Sequence, residues 1–151
     1  MKRLAVALTF ALAFTGAHAG AWGDGSFEND DAMDWVAECV RATSPGLVKA
    51  AFDRALNADV VEAPDASAAI AAAEVVAASL GKPSPVFPEN LKAWLAGQPR
   101  AQIAAQAALA ERALTKIEDA QHSELRQLWS EGKLNQWLSK VQALQSRIGS
   151  K

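Results

Sequence analysis

Tyrosine is absent from this chain of 151 residues, cysteine occurs once, at Cys39, and histidine only at His18 and His122. A single cysteine excludes an intramolecular disulfide. One histidine and one cysteine beyond the first 19 residues are too few nitrogen and sulfur donors to complete a structural zinc site. Positive charge is scarce as well, with 15 Lys and Arg against 17 Asp and Glu and a net charge of −2. Phosphate binding needs a clustered surplus of basic residues, so nucleic acid is excluded as a partner. No segment alternates apolar and polar residues long enough to make a strand, and the β-branched pair Val60 and Val61 is too short to change that. No apolar run approaches the roughly 20 residues that span a bilayer.

What the chain does have begins at its amino terminus. Lys2 and Arg3 precede a mainly apolar run from Leu4 to Phe14, followed by Ala17, His18 and Ala19, the small-x-small pattern of a signal-peptidase site. Residues 1–19 are therefore expected to be a cleaved secretory leader, and residues 20–151 a single exported domain, periplasmic or extracellular, with no membrane attachment after cleavage. Cleavage leaves 132 residues, enough for one domain with its own core. The leader takes Lys2 and Arg3 and no acid with it, so the mature chain holds 13 basic and 17 acidic residues, a net charge of −4.

Helical periodicity runs through the remainder. Asn29 or Asp30 caps a helix to about Arg41, with Trp35, Val36, Cys39 and Val40 on one side, which makes Cys39 a small core hydrophobe. Ser44 and Pro45 cap and start a second helix ending near Asn57. Pro64 and Asp65 open a third, apolar all round and rich in alanine, which Gly81 closes; such a helix belongs at the centre of the fold. After a proline-rich connector, a short helix spans 89–96. A longer one spans about 100–119, with Ile103, Ala107, Ala110, Leu114 and Ile117 in register. Ser123 caps a short segment with Leu125, Leu128 and Trp129, and a last helix displays Trp137, Val141, Leu144 and Ile148. The expected class is all-α, one compact domain of about seven helices.

The densest motif directly follows the leader: Gly20-Ala21-Trp22-Gly23-x-Gly25-x-Phe27-x-Asn29-Asp30-x-Ala32-x-Asp34-Trp35. With the run 71–77 (AAAEVVA) and the segment Ser123-Glu124-Leu125-Arg126-x-Leu128-Trp129, it resembles the bacterial family called domain of unknown function 4259. The resemblance implies a compact helical single domain and brings no catalytic residue with it. It also implies a meaning for Gly20. In many relatives Met directly precedes this motif, so its removal leaves the same glycine first that leader cleavage leaves here. Either the free amine of Gly20 pairs with a nearby carboxylate, or an exported version of the fold is simply fused at its natural start.

Between Asp24 and Glu38 stand six acids, Asp24, Glu28, Asp30, Asp31, Asp34 and Glu38, with no base until Arg41. Their spacing is not that of a helix-loop-helix calcium site, and acids in a first helical turn stabilise its positive end without any ligand. The same residues make a negative patch that suits a basic partner. Gly20, Gly23 and Gly25 lack the preceding strand of a dinucleotide fingerprint; they free the backbone to turn, with Trp22 and Phe27 expected to pin the loop to the core. The remaining tryptophans, Trp35, Trp94, Trp129 and Trp137, lie on apolar stripes and read first as core, although an aromatic groove is the alternative. Glu74 stands alone in an apolar helix, so it must be paired or neutral if buried, with Arg112, Arg126 or an indole as possible partners. Ser123 reads as a helix cap and not as a nucleophile. Glu118 and Asp119 do not make an acid/base pair.

The sequence thus favours a non-catalytic module that binds a macromolecule, most naturally a protein, in an immunity-like or inhibitor-like role. The interaction surface would be Asp24, Glu28, Asp30, Asp31 and Asp34, with Glu74 a buried polar residue. It assigns no catalytic residue, cofactor or metal. The alternative is a metal-dependent hydrolase or other enzyme working through Glu74 or the acidic loop.

Overall fold

The computed structural model describes residues 21–149 and contains eight α-helices: α1 (Asp30–Arg41), α2 (Gly46–Asn57), α3 (Ala63–Ser79), α4 (Glu89–Ala96), α5 (Arg100–Ala104), α6 (Ala107–Ile117), α7 (Glu124–Ser130) and α8 (Leu134–Gly149). The expected leader, residues 1–19, and Gly20 lie outside the described residues. No β-strand occurs among the described residues, only two isolated bridges, and one core joins all the helices except α7, whose Leu125 and Trp129 pack against it from the side.

Helix α3 is the axis of that core. Alanine has the highest helix propensity, Pro64 sits in the first turn where its missing N–H costs nothing, and every residue from Ala66 to Ala78 is buried. Short side chains on all sides let neighbours approach closely, and α3 packs against α1, α2, α5, α6, α7 and α8. It ends in a Schellman turn. Gly81 takes φ 82°, its N–H reaches the Ala78 carbonyl at 3.0 Å, and Lys82 N–H reaches the Ala77 carbonyl at 2.9 Å.

Side chains close several other helix ends. Asn29 Oδ1 accepts from Ala32 N at 2.8 Å at the start of α1, and Ser123 Oγ accepts from Arg126 N at 3.2 Å at the start of α7. At α2 the cap falls one residue later than Ser44: Pro45 holds the cap position, and Ser44 makes no capping hydrogen bond. Its other end is closed from a distance, since Lys116 Nζ donates to the carbonyls of Leu56 and Ala58. A cation there also suits the negative end of the helix.

One expected helix is two. The stretch 100–119 breaks at Ala105 and Gln106, where Gln106 N–H turns to the Ile103 carbonyl at 3.0 Å in place of a bond four residues back. Neither proline nor glycine marks the break. Its cause is tertiary: α5 lies along α3, whereas α6 must also meet α2 and α8. The pair Val60 and Val61 also counts for more than its length suggested. Val61 is fully buried and forms a parallel bridge with Ser123, donating to the His122 carbonyl at 2.8 Å and accepting from Glu124 N at 3.0 Å. Glu124 Oε2 then accepts from Ala63 N at 2.8 Å. This seam fixes the start of α7 beside the start of α3.

Candidate functional site

The glycine-rich loop folds back on itself before α1. Ala21 bridges Asn29, and the N–H groups of Trp22 and Gly23 both reach the Glu28 carbonyl, at 3.0 and 3.2 Å. The Glu28 side chain turns inward and accepts from Gly25 N at 2.7 Å through Oε2. That position requires the glycines: a Cβ on Gly25 would stand 2.7 Å from Glu28 Oε2, and one on Gly23 would strike the same carboxylate.

Three side chains hold the folded loop to the body. Phe27 is buried and meets the Phe87 ring edge-on, with centroids 5.9 Å apart. Ser26 Oγ donates to Glu74 Oε1 at 2.8 Å. Asp24 pairs with Lys140 of α8 at 2.6 Å, and Glu28 lies 4.0 Å from the same ammonium. The Lys140 hydrogen bond holds the Asp24 carboxyl below its usual range, and Asp24 in turn raises Lys140. Trp22 does not take part in this anchoring. It is 61% exposed, so the expectation that it pins the loop to the core is corrected; of the two aromatic residues only Phe27 does so.

Glu74 is 2% exposed, and its partners are not those the sequence suggested. Neither Arg112, Arg126 nor an indole reaches it; Arg147 of α8 donates from Nη2 to Oε1 at 2.7 Å, beside the Ser26 bond. Trp94 spends its indole N–H on the Ala42 carbonyl at 2.8 Å. Lys140 and Arg147 are seven residues apart, hence on one face of α8 beside the stripe of Val141, Leu144 and Ile148. That spacing is the signal in the sequence that would have found both.

The loop, α3, α7 and α8 together enclose a cleft of about 410 Å³. Ala63, Ser67 and Ile70 of α3 form one part of its lining, and Leu125, Leu128 and Trp129 of α7 another. Trp137 and Val141 of α8 complete the apolar portion, and the Trp129 and Trp137 rings are stacked with centroids 6.3 Å apart and planes 13° from parallel. Trp22 and Leu128, 61% and 39% exposed, carry the apolar surface out of the cleft. The aromatic groove is therefore present in part. Trp22, Trp129 and Trp137 line it, while Trp35 and Trp94 belong to the core.

The acidic block is divided by this geometry. Asp24 and Asp31 line the cleft. Asp30 and Asp34 are exposed on α1 outside the lining, and Glu28 is committed to the loop. Burial pushes the Asp31 carboxyl above its usual range, with the charges of Asp34 and Asp30 adding to the shift. No group of three or more His, Cys, Asp and Glu side chains among the described residues is placed to hold a metal ion.

Other chemically suggestive residues are dispersed. Cys39 is fully buried in α1, and burial pushes its thiol up to about 12. His122 lies 3.2 Å from Asp119 on the surface, and Glu118 is half-buried against Gln142 and Gln145. No helix among the described residues is long and apolar enough to cross a membrane.

The family described as Domain of unknown function (DUF4259) matches residues 20–140, a span that includes the loop, α3 and every wall of the cleft but the last residue of its lining. No curated protein and no solved structure matches the chain. The extent of that family match identifies the chain as a member of the DUF4259 family.

Proposed function

We propose that this protein is an exported, non-catalytic binding module that seats part of a partner protein in the cleft between the glycine-rich loop and helices α7 and α8, in an immunity-like or inhibitor-like role. The observation that carries the reading is the cleft itself. It has the size of a specific binding site, an aromatic and aliphatic lining set with charged and polar side chains, and exposed Trp22 and Leu128 at its edge. Two of the five acids of the expected interaction surface, Asp24 and Asp31, line it. Glu74, the residue on which the enzymatic alternative rests, is outside the lining. Its Oε1 is held by Ser26 and Arg147, and its Oε2, though it accepts no hydrogen bond, is buried away from the cleft lining.

The test has two arms. Protein captured from the envelope of the source cell is purified and its binding reconstituted with the mature chain. The double variant Leu128→Asp, Trp129→Ala should weaken binding at least tenfold while its circular dichroism stays helical, since residues at the centre of an interface carry most of its energy. Unchanged affinity would remove the cleft from the interface. Intact-mass measurement on exported material should show a chain starting at Gly20, and a mature protein retaining Met1 would refute export.

A further inference from the structure

The charged groups lining the cleft are not all matched. Asp24 and Lys140 neutralise each other at 2.6 Å. Asp31 and Lys133 remain, and neither takes part in an ion pair among the described residues. They belong to different elements, Asp31 to the first turn of α1 and Lys133 to the turn between α7 and α8. The cleft thus presents one carboxylate and one ammonium outside any ion pair, and most of the rest of its lining is apolar.

We propose that the cleft accepts a peptide segment in which apolar side chains are flanked by one basic and one acidic residue, the basic group set against Asp31 and the acidic group against Lys133. This rests on the binding-module reading above. Charge complementarity selects both flanking groups, because a cation relieves the mutual repulsion of Asp30, Asp31 and Asp34, and an anion satisfies Lys133. The exposed faces of Trp22 and Leu128 select a peptide over a small zwitterion. They continue the apolar lining beyond the cleft, where a longer ligand covers them and a free amino acid does not. Indole faces also attract a basic side chain directly.

A bead-bound library of acetylated, amidated tetrapeptides, selected on the full mature chain, tests this. The enriched sequences should pair two apolar residues with one Lys or Arg and one Asp or Glu. Against the best of them, Asp31→Asn should weaken binding about fivefold, the scale of a partly exposed ion pair. Replacing the peptide's basic residue by Gln should then cost nothing more in that variant. Lys133→Gln should behave in the same way toward the acidic residue. Lys133 is exposed and Asp31 half-buried, and unchanged circular dichroism confirms that the variants fold. The proposal is overturned by a selection that enriches nothing, by enriched peptides indifferent to both substitutions, or by free aromatic amino acids binding where blocked peptides do not. Peptides that bind in the cleft without charge dependence would leave the binding-module reading standing. Partner binding that survives Leu128→Asp, Trp129→Ala would refute that reading whatever the peptides do.

Discussion

Arg147, near the end of α8, clips α3 at two points: Nη2 donates to Glu74 Oε1 at 2.7 Å, and Nη1 donates to the Lys82 carbonyl, just past the Schellman turn, at 3.0 Å. Glu74 accepts from Ser26 through the same oxygen. One buried carboxylate thus joins the central helix, the last helix and the loop that walls the cleft. Any disturbance of it should reach all three.

Removing one member of a buried ion pair leaves the other uncompensated, which costs about 3 to 5 kcal/mol. Arg147→Ala should cost more than Glu74→Ala, because the Glu74 side chain is 3% exposed whereas that of Arg147 is 27% exposed and can recover water. The double variant should be less destabilised than the sum of the two, with a coupling of about 1 to 3 kcal/mol in denaturant unfolding. Additive costs would show that the pair does not stabilise the fold.

Gly25→Ala drives a Cβ against Glu28 Oε2, which is itself bonded to Gly25 N. The carboxylate can move aside only by giving up that bond, so the substitution should cost about 1 to 2 kcal/mol. In the Glu28→Ala background the same change should cost clearly less. Amide exchange across residues 22–28 should quicken in the single variant, which localises the effect to the loop. Equal costs in both backgrounds would mean that Glu28 does not set the loop's shape.

Asp24 and Asp31, seven residues apart, should titrate in opposite directions. The Lys140 hydrogen bond lowers Asp24 below its ordinary 3.8, so its contribution to stability is complete above that value and is lost as pH falls through the lowered one. Burial, with Asp34 and Asp30, raises Asp31 above 3.8. Its ionised form therefore costs stability at neutral pH, and the cost disappears as pH falls through the raised value. Carboxyl carbon shifts followed by NMR should give the order Asp31 above Asp24. Lys140→Met should bring Asp24 back toward 3.8 and leave Asp31 in place.

Cys39 should be inert in the folded protein. Its thiol is fully buried, and burial raises its pKa to about 12, so almost no thiolate exists at pH 8. Aromatic disulfide reagents should label it only at the rate of global unfolding, and one equivalent should react in denaturant. Rapid labelling of native protein would place α1 differently.

Much of the helix framework was legible because its signals are local. Asn29 and Ser123 cap bonds reach three residues, Gly81 supplies the positive φ that ends α3, and the alanine-rich run 66–78 could bury itself only at the centre. Such features depend on neighbours within a turn, so residue identity and spacing suffice. The break at Ala105 and Gln106 carries no such mark. It exists because α5 and α6 have different neighbours, a condition set by how the helices cross.

The site depends on the same long-range packing. Residue types alone marked Glu74 as needing a partner, since an isolated carboxylate in an apolar helix must be satisfied. Choosing Arg147, 73 residues away, required α8 to lie along α3, which the many alanines allow and no sequence spacing specifies. The six acids were visible as a block. Their separation into Asp24 and Asp31 in the cleft, Glu28 in the loop, and Asp30, Asp34 and Glu38 outside it came from the fold-back of the loop against α8. The sequence determined the helices and the residues available to them. The tertiary structure alone decided that Trp22 stands in the open, because burial is a property of what packs above a side chain and not of the side chain itself.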